Sequence, residues 1–137
     1  MTPATTKSPE VEAARDRAAQ HAVQLVADGM VVGLGTGDTA RRFIERLALR
    51  ARDESLKITC VVTSGASAGV ARAGGLHVRT LAEAPELDLA VDGADEVTPA
   101  LDLMKGGGGA HTKEKIVAAS AARFVVLVDE TKLVRRL

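Results

Sequence analysis

The chain is nearly without aromatic side chains: two Phe, no Tyr and no Trp among 137 residues. Stacking platforms for bases or sugar rings are therefore essentially missing, and a core must be assembled from Val, Leu, Ile and Ala, which suits a parallel sheet covered by helices. One cysteine, Cys60, excludes an internal disulfide framework and a multi-cysteine zinc site. There is no surplus of either charge sign, with 18 basic and 18 acidic residues. That balance argues against a nucleic-acid or anionic-membrane partner. No apolar run reaches the roughly 18 residues that a membrane span needs. The N-terminus has no signal-peptide core, so the expected location is the cytoplasm.

The length fits one compact domain. Residues 1–8 read as a disordered polar lead and 9–137 as the domain. Helical periodicity runs from Pro9 to Ala27, carried by Val11, Ala14, Ala18, Ala22, Leu25 and Val26. Short apolar runs at 30–34, 57–62, 87–91 and 124–128 read as buried strands, with 76–78 a further short candidate. Helices are expected over about 40–50, 66–73 and 110–121. This alternation implies an α/β fold: a mostly parallel sheet with helices on both faces, of Rossmann-like type. In such sheets ligands bind beyond the carboxyl ends of strands, where this chain's polar and glycine-rich clusters fall.

The first cluster is the glycine loop from Gly33 to Thr39. It does not match the dinucleotide fingerprint, because Asp38 occupies the third glycine position, and no Gly-Lys-Ser/Thr follows as in a nucleoside-triphosphate loop. Two readings fit it. A small phosphate monoester could sit on the free N–H groups of the helix start, with Thr36 and Thr39 as hydroxyl donors. Alternatively the loop is a tight strand-to-helix turn with Asp38 or Thr39 as N-cap. Asp38 counts against the first reading, since a carboxylate repels a phosphate.

The second cluster comprises Asp92, Asp95 and Glu96 after one strand, then Lys105 and the four glycines 106–109. Strand-end carboxylates serve either a ligand or only solvent, and a glycine run either approaches a ligand closely or acts as a connector. Glu114 follows on the next helix. Val117 and Ala118 share its side and could desolvate it, making it a stronger base; a surface ion pair with Lys113 or Lys115 is the other reading. His21, His77 and His111 have no second ligand at metal-binding spacing. Cys60, in an apolar strand, reads as inert core.

Taken together, the segments Asp28-Gly29-Met30-Val31-Val32-Gly33-Leu34-Gly35-Thr36-Gly37-Asp38-Thr39-Ala40, Thr63-Ser64, Asp88-Leu89-Ala90-Val91-Asp92-Gly93-Ala94-Asp95-Glu96-Val97, and Leu103-Met104-Lys105-Gly106 through Val117 resemble the type A ribose-5-phosphate isomerases. The closing run Val128-Asp129-Glu130-Thr131-Lys132-Leu133-Val134 is similar to that family too. The resemblance implies an enzyme that interconverts ribose 5-phosphate and ribulose 5-phosphate without metal or organic cofactor. By it, Glu114 is the base moving a proton between C1 and C2, Asp92 and Asp95 assist ring opening and proton transfer between oxygens, and Lys105 stabilises the enediolate oxygen. It further implies that Thr36, Gly37, Asp38, Thr39, Gly106 and Gly107 bind the substrate, helped by Lys132 and the cation at Arg15.

Two departures accompany the resemblance. The family usually has Ser where this chain has Asp38, and Lys where it has Arg15. The family also continues through a C-terminal α+β lobe and is usually homodimeric, whereas this chain ends at Leu137. The expectation is an incomplete catalytic domain without that lobe, poorly stable because strand edges and apolar faces are left uncovered. A sugar-phosphate sensor and an inactive fragment of the isomerase are the competing readings.

Overall fold

The computed structural model describes residues 8–94, 96–98, 100, 103, 104, 111–129, 132, 133 and 135; for 96, 97, 103, 104 and 111–114 it describes the backbone only. Helix α1 spans Pro9–Val23, with Ser8 as N-cap accepting from the Val11 N–H. Strand β1 (Val31–Leu34) leads through the glycine loop to α2 (Asp38–Asp53). There follow β2 (Thr59–Val62), α3 (Gly65–Ala73), β3 (His77–Arg79) and β4 (Leu89–Gly93). The two-residue strands β5 (Glu96–Val97) and β6 (Leu103–Met104) pair antiparallel, before α4 (His111–Ala119) and β7 (Phe124–Leu127).

The five main strands form one parallel sheet in the order β3-β2-β1-β4-β7. Alternate residues of each strand serve opposite faces. Val32, Leu34, Cys60, Leu89, Val91 and Leu127 pack with Ala19, Ala22, Val23, Phe43, Ile44, Leu47 and Ala71, so α1, α2 and α3 cover one face. On the other face Val61, Leu87 and Ala90 pack with Val117 of α4. The α/β fold with helices on both faces stands as read from sequence. The chain winds outward from β1 through β2 to β3, then returns to β4 on the opposite side of β1. The crevice between β1 and β4 is therefore the switch point of the sheet, where ligands of open α/β folds bind.

Element ends differ from expectation for identifiable reasons. Helix α1 stops at Val23, four residues early, because Arg50 of α2 donates to the carbonyls of Val23 (2.6 Å) and Val26 (2.5 Å) in place of a further helical turn. Val26 is fully buried, so its apolar spacing reflects the core and not a longer helix. Helix α2 begins at Asp38, earlier than expected. Its N-cap is Gly37, with no side-chain cap bond, which corrects the assignment of that role to Asp38 or Thr39. The β5–β6 ribbon was not anticipated; two-residue strands are too short to show periodicity.

Candidate functional site

The loop after β1 is shaped by contacts that admit no side chain at Gly35. A Cβ built there would lie 2.0 Å from Asp92 Oδ1 and 2.1 Å from its Cγ. The Asp92 carboxylate, only 4% exposed at the end of β4, is thus folded onto the loop backbone. Its Oδ1 accepts from the Thr36 N–H (3.2 Å) and from the Gly93 N–H (2.7 Å), while the Gly35 N–H donates to the Val91 carbonyl (2.8 Å). Gly37 then takes φ +105°, a left-handed conformation that a side chain would strain. That turn starts α2 directly beside the switch point, and the first N–H groups of a helix have no intrahelical partner.

Hydroxyl groups tie this loop to the end of β2. Thr36 Oγ1 lies 2.8 Å from Thr63 Oγ1 and donates to Ser64 Oγ at 3.0 Å. Thr63, buried, donates to the Leu34 carbonyl (3.0 Å). Ser64 is the N-cap of α3, accepting from the Ser67 N–H (3.1 Å), and the buried Ser67 hydroxyl donates to the Gly35 carbonyl. The Thr36 hydroxyl, expected to serve a ligand, is thus also a structural link. Ser67 was missed from sequence; the Ser64–Ser67 spacing of an N-cap was its only signal.

Asp38 is surrounded by cations. Its Oδ2 lies 3.2 Å from Arg15 Nη1 and 2.9 Å from Arg42 Nε, and its Oδ1 lies 2.6 Å from Arg41 Nη2. Partial burial alone would raise its pKa, but the hydrogen bonds from Arg41, Arg42 and Arg15 and the charge of Arg42 outweigh this and bring it to about 2. The carboxylate is ionised and neutralised together, so the repulsion expected from sequence is largely cancelled within the protein. Arg15 is itself buried and reaches the buried Asp129 through Nε at 2.8 Å. It therefore stands beside the loop, bridging α1, Asp38 and the chain after β7.

Helix α4 lies against the same strand ends. A Cβ at Gly33 would meet Val117 Cγ1 at 2.5 Å, so the helix rests directly on the β1 backbone. A hollow of about 10 Å³ remains there, bordered by Gly35, Asp92, Val117 and Ala118 among others. Glu114 precedes Val117 by three residues, which places it on the same helix face, one turn nearer the helix start; its side chain lies outside the described part. Asp95, Lys105, Gly106 and Gly107 also lie outside the described residues. Thr39 is half-buried, close to Gly93, and Lys132 is half-buried with its N–H donating to the Asp129 carbonyl (3.1 Å). Larger hollows, about 660 and 710 Å³, open at the amino ends of β2 and β3 and between α2 and α3. They lie apart from the polar strand ends and have no comparable convergence of carboxylate, hydroxyls and helix start.

Comparison with known proteins identifies the family and the fold. A family model for ribose 5-phosphate isomerase A (phosphoriboisomerase A) matches residues 59–137. The ribose-5-phosphate isomerase A of Methanothermobacter thermautotrophicus is 57% identical over 120 residues, covering 88% of this chain and 53% of that protein. The solved ribose 5-phosphate isomerase A of Methanocaldococcus jannaschii has a TM-score of 0.89 at 49% identity, covering 92% of this chain and 56% of the other. A solved D-ribose-5-phosphate isomerase in complex with phospho-erythronic acid has a TM-score of 0.88 at 42% identity, covering 90% and 55%. The chain spans about half the length of the curated relatives it matches. No helix among the described residues is long and apolar enough to cross a membrane. By sequence and by fold, the chain belongs to the ribose 5-phosphate isomerase A family.

Proposed function

We propose that this chain carries the catalytic strand ends of a cofactor-free aldose–ketose isomerase that interconverts D-ribose 5-phosphate and D-ribulose 5-phosphate. The observation that carries this reading is the Asp92 carboxylate packed onto the glycine loop at the switch point, where Gly35 leaves room for it. One crevice then offers an acid–base group and, a few residues on, a helix start suited to a phosphate monoester.

In this mechanism Glu114 removes the proton from C2 of the open-chain aldose, and the electron pair moves to the C1 oxygen as an enediolate. Lys105 stabilises that oxygen, as developing charge requires. Asp92 and Asp95 assist ring opening and carry the proton between the two oxygens. Returning the first proton to C1 completes the ketose. The phosphate, held by Thr36, Gly37, Thr39 and the helix start that Asp38 opens, helped by Lys132 and Arg15, supplies orientation from a distance, and Gly106 and Gly107 bind the substrate. Homodimerisation, a cytoplasmic location, and the lack of nucleic-acid or membrane partners belong to the same reading.

The test follows ketose formation from ribose 5-phosphate with a chelator present. Turnover is expected without added metal, and Glu114→Gln should reduce it by about 10²–10⁴-fold, the usual contribution of a general base. Wild-type turnover in Glu114→Gln would remove the base from this mechanism. Binding without turnover would leave a sugar-phosphate sensor.

A further inference from the structure

The first turn of α2 gathers more cations than a helix start needs, because a single carboxylate there is already favoured by the helix dipole. Three guanidinium groups converge on Asp38, and they are not equivalent. Arg15, with its side chain 10% exposed, ties α1 to Asp129. Arg42, 15% exposed, ties α2 to α1 through Asp16 at 3.2 Å and the Glu12 carbonyl at 3.3 Å. Arg41 is 43% exposed, and among the described residues both its ion pairs, with Asp38 and with Glu45 (2.8 Å), lie on its own helix. Among the described residues it links no two elements. It can turn toward a ligand without loosening the fold.

The outer acidic groups do not cancel this arrangement at the loop. Glu45 lies a further turn along α2, and Asp16 and Glu12 lie on α1; their side chains are 53%, 44% and 55% exposed, where water screens them. Nearer the loop, the three arginines share one carboxylate, Asp38, and Arg15 also holds Asp129.

Resting on the phosphate-ester reading above, we propose that Asp38 is a positioning residue for the phosphoryl group: it anchors Arg41 at the loop mouth, and Arg41 engages the phosphate received by the start of α2. A planar fork of five N–H donors can keep one edge on Asp38 and present others to a phosphoryl oxygen. Asp38 therefore aids substrate binding despite its charge. Without it Arg41 would keep, among the described residues, only Glu45, a turn further along α2, and would swing away from the loop mouth.

Steady-state kinetics with ribose 5-phosphate, and inorganic phosphate as competitor, test this directly. Asp38→Asn keeps the side-chain shape and removes the charge. It should raise KM and the inhibition constant of phosphate together by about 10-fold, the effect of one partly exposed charge-assisted hydrogen bond, with kcat little changed. Arg41→Gln should do the same, and Arg41→Lys should recover part of the loss. A lower or unchanged KM in Asp38→Asn would overturn the proposal, because simple repulsion predicts that sign. Should Asp38→Asn fail to fold, Arg41→Gln decides, and unchanged KM and inhibition constant there would overturn it equally. If the wild-type chain shows no turnover, the isomerase reading fails by itself. Calorimetric binding of inorganic phosphate to wild type and Arg41→Gln then tests this site alone, and equal affinities or no binding to either would reject it.

Discussion

Replacing Gly35 with alanine tests the central contact of the site with a single methyl group. That carbon would lie 2.0 Å from Asp92 Oδ1, 2.1 Å from Cγ and 2.6 Å from Cβ, distances no rotation of the alanine can relieve. The Asp92 side chain must move, and Oδ1 then loses the Thr36 and Gly93 N–H groups. Each hydrogen bond to a charged acceptor contributes about 1.5–3 kcal/mol, and overpacking adds about 1–3 kcal/mol. Partial relaxation leaves an expected loss of about 3–5 kcal/mol, a large share of the roughly 5–15 kcal/mol that holds a domain folded. At about 4 °C per kcal/mol for this size, the melting temperature should fall by about 12–20 °C. With no Trp or Tyr to report fluorescence, far-UV circular dichroism is the appropriate readout. Gly69→Ala is the control: that glycine is exposed within α3 with nothing within 4 Å of its added carbon, and the change should stabilise by about 0.5–1 kcal/mol. Asp92→Gly removes the three atoms nearest the new methyl, so the two substitutions should combine at about 1–3 kcal/mol less than their sum. A loss under about 1 kcal/mol for Gly35→Ala, or strict additivity with Asp92→Gly, would refute the contact as the reason for this glycine.

Two further outcomes follow from the charged and buried groups. Asp38 has its pKa brought to about 2 in the folded chain, against an ordinary 3.8, so its contribution to stability is present above that ordinary value and is lost as the pH falls toward 2. The urea midpoint of the wild type should therefore drop more steeply between pH 5 and pH 2.5 than that of Asp38→Asn, and parallel curves would show that the arginine cluster contributes nothing. Cys60 is fully buried, and burial pushes its thiol up to about 12. It should resist a thiol-specific disulfide reagent at pH 8 until denaturant is added; rapid reaction of the native chain would contradict the packing of β2.

Local spacing by itself determined the fold class and the main elements, though not their exact ends or the β5–β6 ribbon. The Val31–Leu34 and Leu89–Val91 runs are apolar on both faces because central parallel strands are covered on both sides, and that signature is readable without coordinates. The glycine loop and strand-end carboxylates were legible for the same reason: turns and strand ends are local chemistry. What stayed hidden was every relation between distant segments. Sequence order does not reveal that β1 lies between β2 and β4, nor that Asp92 rests on Gly35, 57 positions earlier. It offered Asp38 as a helix cap or as a charge beside an expected phosphate; the helix packing that brings Arg15 to it, with Asp129 behind, is not visible there. The reason is range: dihedral preference and hydrophobic period act over a few residues, whereas the sign of a local field depends on which charges the folded chain brings within a few ångströms.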